Sequence, residues 1–275
     1  MILFKSKFAG SEIYITDAYT RAYLAIAEQR GLDIHELLDH VAVEETESPD
    51  IDAFETKSDS SKDNAIYSIT ANEYLTLIEK IVDKSGNHGI ALEVGLQIPP
   101  TAFGMVGFAM MSSATVESAM EVGTRYWHLL RDGIAINVSI EDDTCCIEFD
   151  FFQELQEKLE NLVLETSMAS CFRVIQLIFG EKFTSELWLK QPSPYYSELY
   201  LPMIPNLKYD QQKNQLRFPK DLLSLKIPTS SELSLSMALE KCEEENQLMS
   251  ENGMIFQLER YLKKCEGKFP SLVEA

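Results

Sequence analysis

The densest grouping of chemically capable side chains in the sequence is Arg125-Tyr126-Trp127-His128, with Arg131 three residues on. Arginine supplies a fork for an anionic group, and tyrosine and tryptophan supply hydrogen bonds beside apolar rings. On a helix, however, four consecutive residues point round the whole circumference, so about half of them must face away from any one site. Two readings stay open: two or more of these residues line a ligand pocket, or the rings pack in the core with arginine at the surface. The standard catalytic signatures are missing. There is no Gly-rich phosphate loop, GxSxG elbow, HExxH or calcium loop. Cys145, Cys146, Cys171, Cys242 and Cys265 form an odd set without CxxC spacing, and His35, His40, His88 and His128 are scattered. No metal, cofactor or disulfide framework is expected, and Cys145 and Cys146 should face opposite sides of a strand.

The elements around this group follow from periodicity. Ser113 or Thr115 can cap a helix through Val116, Ala119, Met120, Gly123, Tyr126 and Leu130, preceded by an apolar stretch from Met105 to Met111. After Gly133 the period changes to two, with Ile134, Ile136, Val138 and Ile140, then Cys145, Ile147 and Phe149, making a hairpin that turns at 141–144. Earlier helices are expected from Thr16 or Asp17 to Gly31, from Asp33, and from Thr70 or Asn72 to Gly86. Between them, residues 44–64 are acidic and Ser-rich and suit a solvated connector. A long helix should run past Leu155 and Ala169 to Gly180, with short strands at 187–189 and 216–218. Two helices should close the chain, one bearing Leu235, Met237 and Leu239, the next Ile255, Leu258 and Leu262. One clear hairpin between helical regions implies an α+β fold around a small, mainly antiparallel sheet. The division expected is a sensing domain over 1–230 and a helical segment over 231–275.

The 275 residues carry 24 basic against 44 acidic side chains, a formal charge of -20. Such a balance repels phosphate backbones, so these residues alone should not bind nucleic acid. No apolar run approaches the roughly 20 residues of a membrane helix, and Met1 to Phe8 lacks the apolar core of a secretory signal. A cytoplasmic compartment, without membrane association, is the expectation.

The stretch from Phe103 to Met120 (FGMVGFAMMSSATVESAM), running on to Tyr126 and Asp132-Gly133, resembles the signature of arabinose-binding-type AraC transcription regulators. Tyr23 with Glu28 to Asp33, and His88 to Leu92 with Gly95, fall where that family has its first helices. Tyr209, Asn214 to Phe218, Leu222 and Ile227-Pro228 are similar to its closing strand, turn and L-x-x-P segment. Residues 190–205 depart from the family in their Pro and Tyr content. Phe269 to Ala275 resembles the start of the first DNA-binding helix, which implies an excised sensor or a truncated relative.

The resemblance implies a non-enzymatic sensor that binds a small effector, forms a homodimer and passes its signal to a DNA-binding domain. A pocketless interaction protein and an uncharacterised enzyme remain the rivals. The pocket is expected between the helices of 104–131 and the hairpin of 134–149, because they are adjacent in sequence. Gly104 and Gly107 would leave room there, and Phe108, Met110 and Met111 would form an adaptable wall. Arg125, Tyr126 and Trp127 would supply the polar contacts.

Overall fold

The computed structural model describes residues 2–5, 17–38, 44–45, 67–68, 71–86, 88–130, 134–151, 155–180 and 184–264, with side chains up to 248. Strand β1 (Ile2–Lys5) is followed by α1 (Asp17–Gln29) and α2 (Ile34–Leu38). Asp33 starts α2 as its composition suggests, its Oδ1 accepting from the amide of His35 at 2.9 Å. Most of the acidic connector lies outside the described residues. Its first two residues form a ladder with the segment just beyond its end, β2 (Glu44–Glu45) pairing with β3 (Tyr67–Ser68).

Next come α3 (Ala71–Ser85) and α4 (Ile90–Gln97), where the chain breaks before Pro99-Pro100. A single tight turn at Pro100–Phe103 leads into α5 (Gly104–Ser112) and α6 (Val116–Arg125). Thr115 caps α6: its Oγ1 accepts from the Ser118 amide at 3.3 Å, and Ser118 Oγ accepts from the Thr115 amide at 3.0 Å. The helix expected to reach Leu130 stops at Arg125, and a tighter turn at Trp127–Leu129 follows. Trp127 nonetheless stays on the side of Val116, Met120, Gly123 and Thr124, the face on which helical spacing from Val116 would also put it.

The hairpin β4 (Ile134–Glu141) and β5 (Thr144–Phe151) lies in the register its alternation requires, Ile136 opposite Phe149 and Val138 opposite Ile147. Then come α7 (Glu157–Phe179), β6 (Glu186–Trp188), the short α8 (Ser197–Tyr200), β7 (Leu207–Lys208) and β8 (Gln215–Pro219). The sheet has six strands in the order β1-β4-β5-β8-β6-β7, antiparallel throughout except for the β6–β7 pair. The fold is α+β. At the C-terminal end the two expected helices are one, α9 (Glu232–Lys264), because Asn252-Gly253 interrupts the apolar pattern without interrupting the backbone.

By length and apolar content α7 would suffice to cross a membrane, although Lys158, Glu160, Glu165 and Arg173 break its apolar run. Ten of its residues are buried within the protein. On one side lies α4, where Gly95 permits backbone contact: a Cβ there would sit 2.5 Å from the carbonyl oxygen of Thr166. Buried polar contacts lock the same region to α1, with Tyr23 Oη 2.6 Å from Thr166 Oγ1 and Tyr19 Oη 2.8 Å from Ser170 Oγ.

Candidate functional site

Between α5, α6, the β4–β5 hairpin and the C-terminal half of α7 lies a cavity of about 110 Å³. Gly107, Met110 and Met111 from α5 form one wall, and Val116, Ala119, Met120, Gly123 and Thr124 from α6 the next. The sheet closes the floor with Ile136, Val138, Ile147 and Phe218. Opposite stand Cys171, Val174, Ile175, Ile178 and Phe179 of α7. Met110, Met111, Val174, Ile175 and Ile178 are only partly buried, so the cavity opens to solvent between α5 and the end of α7.

Nearly all of this lining is hydrocarbon, and no Asp, Glu, His, Lys or Arg contributes to it. The hydroxyl of Thr124 donates to the Met120 carbonyl at 2.7 Å and is thereby satisfied within its own helix. Trp127 Nε1 is different. It is buried without a hydrogen-bond partner, while its ring lines the cavity and meets Phe149 edge to face at 6.1 Å between centroids. An indole N–H is a donor only, and leaving it unpaired away from water costs on the order of 1–3 kcal/mol. The nitrogen itself exposes less than 1 Å², so it lies behind the cavity wall and not on its surface.

Of the residues singled out by sequence, Met111 and Trp127 line the cavity together with Met110 and Gly107. Arg125 points away. Its guanidinium is solvent-exposed, 3.3 Å from Glu243 of α9 and 5.0 Å over the Tyr126 ring. Tyr126 is buried, but its hydroxyl donates to Glu243 Oε2 at 3.0 Å, which holds the Glu243 carboxyl below its ordinary range. Phe108 is 43% exposed and Arg131 lies outside the described residues. Gly107 lacks a side chain for a reason other than ligand space: a Cβ would meet the Pro100 carbonyl oxygen at 2.6 Å and Phe103 at 2.7 Å. Gly104 adopts φ +53° and borders open space.

Sequence reading missed the α7 wall, whose signal was the low charge after Ala169, with Arg173 alone before Phe179. It also left Met120 and Gly123 aside as ordinary helix positions. Cys145 and Cys146 do face opposite sides of β5, and burial pushes their thiols up to about 12 and about 11, so neither is a ready nucleophile. Among the described residues no group of His, Cys, Asp and Glu is placed to hold a metal. Around Trp188 the protein supplies its own cations: Arg217 stacks 4.2 Å from the ring centroid and Lys208 lies at 5.5 Å.

Residues 62–227 match the family described as the arabinose-binding domain of AraC transcription regulator, N-term. The chain belongs to this family. Two HTH-type transcriptional regulators described as uncharacterized, from Mycobacterium bovis and Mycobacterium tuberculosis, are each 22% identical over 272 residues, covering 93% of this chain and 72% of theirs. The ornithine utilization regulator of Pseudomonas aeruginosa is 21% identical over 194 residues, covering 69% of this chain and 57% of its own length. In fold the chain is similar to the crystal structure of transcriptional regulator CdpR from Pseudomonas aeruginosa, at a TM-score of 0.53 and 15% identity, over 71% of this chain and 64% of that one. The cavity thus lies within the AraC-type sensor domain, since all of its lining falls inside the matched residues.

Proposed function

We propose that this chain is the cytoplasmic effector-sensing part of an AraC-type transcription regulator, and that its effector is small and apolar with one hydrogen-bond acceptor. The carrying observation is the hydrocarbon cavity with the unpartnered indole N–H of Trp127 behind its wall, which a small shift of the ring would present to a ligand. A dry cavity of about 150 Å³ accepts benzene, so 110 Å³ suits a ligand portion of comparable girth, with more of it emerging at the mouth. A free sugar fits poorly, because its hydroxyls would lose water without finding partners. The residues proposed to hold the effector are Met110, Met111, Met120, Trp127, Val174 and Ile178. The reaction class is binding alone.

Signal transfer is proposed to run through the neighbours of Trp127. Tyr126 and His128 both bond to α9, the first through Glu243 and the second through Asn246 Oδ1 at 2.7 Å from its Nε2. A ligand that shifts Trp127 therefore pulls on the helix that begins at Glu232. In this reading residues 1–230 form the sensing unit and 231–275 the helical link to the DNA-binding domain of a longer regulator. Homodimer formation through α9 belongs to the same proposal: of Leu235, Met237 and Leu239, the residues on which the sequence rests it, Met237 is exposed beside Leu233, and Leu235 and Leu239 are partly buried. Ile255, Leu258 and Leu262, which the sequence offers for the same contact, have side chains outside the described residues.

Thermal unfolding of the full chain with benzaldehyde, toluene and arabinose tests the pocket. Benzaldehyde should stabilise most, by about 2.7 kcal/mol at one hundred times its Kd, toluene less and arabinose not at all. Trp127→Phe should erase the advantage of benzaldehyde over toluene. Stabilisation by arabinose alone would overturn the reading.

A further inference from the structure

A second cavity, of about 210 Å³, lies beside the N-terminal half of α7, and Glu165 is among the residues that line it. Glu165 is 1% exposed, in the middle of the long core helix. Three neutral groups donate to it: Gln191 Nε2 at 2.5 Å and Tyr209 Oη at 3.3 Å to Oε1, and Tyr196 Oη at 3.1 and 3.2 Å to the two oxygens. A carboxylate offers about four acceptor positions, and among the described residues Oε2 receives only the shared Tyr196 hydroxyl. Glu165 takes part in no ion pair among the described residues.

Burying a carboxylate without a cation is costly even when hydrogen bonds surround it. Accordingly burial pushes the Glu165 carboxyl up to about 7, against the opposing pull of its three donors. The basic group nearest in the same cavity wall is Lys158, and it is engaged elsewhere, 2.6 Å from Asp83 and 3.4 Å from Glu79. What the cavity does offer is a lining suited to a small organic cation. Tyr196 presents an aromatic ring, Asn161 a carboxamide, and Leu162, Pro192 and Pro194 an apolar surface for a short alkyl chain. The formal charge of -20 raises the local concentration of cations around the chain.

We infer that the cavity bounded by Glu165, Tyr196, Asn161 and Pro192 is a second ligand site, which takes a primary alkylammonium ion paired with the Glu165 carboxylate. This site is separate from the hydrocarbon cavity at the other end of α7 and does not depend on that cavity holding an effector. Lys158 at the rim disfavours a second cationic group on the ligand, so a monoamine is the better fit.

Propylammonium chloride is the probe, added to the full chain at pH 8 and compared with equal sodium chloride and with 1-propanol. Propylammonium should raise the unfolding midpoint where the other two do not, and Glu165→Gln should weaken binding at least tenfold. Calorimetry on the unaltered chain in two buffers of different ionisation enthalpy gives a readout independent of whether that variant folds. Because the amine selects the ionised carboxylate, binding should release protons at pH 6.5 and none at pH 9. The inference is overturned by absence of stabilisation beyond the salt control, by equal stabilisation from 1-propanol, by undiminished binding to Glu165→Gln, or by binding without proton release at pH 6.5.

Discussion

The two halves of α7 are built on opposite principles. From Leu162 to Ser170 every residue is buried, and Glu165, Thr166, Ser167 and Ser170 are all hydrogen-bonded, so that Tyr19, Tyr23, Tyr196 and Tyr209 are held at fixed positions along the helix. From Cys171 to Phe179 the residues facing the cavity are apolar and partly exposed, and they stand across it from the methionines of α5 and α6. Hydrogen bonds fix distance and direction, whereas contacts among Val, Ile and Met fix little beyond volume. The first half is therefore a framework, and the second is a surface that can repack around an apolar guest.

If that contrast holds, substitutions in the framework half should be the expensive ones. The largest effect is expected at Gly95, across from Thr166. An added methyl meets backbone, the Thr166 carbonyl at 2.5 Å and the Ser170 amide at 3.1 Å, and backbone cannot swing aside as a side chain can. Gly95→Ala should destabilise by about 3 kcal/mol, at the upper end for overpacking, read as a lower urea midpoint at an unchanged slope.

Glu165→Gln should act in the opposite direction and depend on pH. The folded-state carboxyl titrates at about 7 rather than 4.5, so folding is weakened as pH rises from about 4 to 7 and stays weakened above. That span bounds the effect at about 3 kcal/mol. The amide keeps one acceptor but disturbs the three-donor arrangement, leaving a net gain of about 2 kcal/mol at pH 8 and little at pH 4. Urea titrations of both proteins at the two pH values check the sign. A variant less stable than the parent at pH 8 would show that the ionised carboxylate supports the framework.

A smaller loss is expected from Thr166→Val, which keeps the shape but removes the 2.6 Å contact with Tyr23 and the bond to the Leu162 carbonyl. About 1–2 kcal/mol should disappear, measured in the same way.

The sequence conveyed the two halves unequally. The apolar cavity was legible in outline, because adjacent elements with matching periods pack together and Thr115, Gly133 and the 141–144 turn mark their ends. Which of Arg125, Tyr126 and Trp127 turns inward was left open, although Trp127 shares the helical face of Val116, Met120 and Gly123, whereas Arg125 turns to Glu243. The framework half was less legible. A lone Glu165 in a helix reads as a solvent-facing residue, and its partners Gln191, Tyr196 and Tyr209 lie 26 to 44 positions away. Gln191 and Tyr196 come from the Pro- and Tyr-rich segment that departs from the family pattern, and Tyr209 from beyond it. Hydrogen bonds over such separations leave no periodic trace.

The smallest effect on stability, and the most telling for the contrast, is expected in the wall facing the apolar half. Gly123 of α6 lines the cavity, and a Cβ there would lie 2.9 Å from Met110 Sδ and 3.0 Å from its Cε. Unlike the atoms around Gly95, these belong to the far end of an unbranched side chain with three rotatable bonds, which can turn into the empty volume. Alanine also favours the helix over glycine by up to about 1 kcal/mol, offsetting the cost of moving Met110. Gly123→Ala should thus unfold within about 0.5 kcal/mol of the parent. Yet the new methyl and the displaced thioether both enter a cavity of only 110 Å³, so stabilisation by benzaldehyde should fall to a small fraction of its original value. Should the variant instead lose 2 kcal/mol or more, the cavity wall is as rigid as the framework and the distinction between the two halves of α7 fails. Should stability and benzaldehyde binding both stay unchanged, the probe does not occupy this cavity, and the indole of Trp127 has lost its proposed partner.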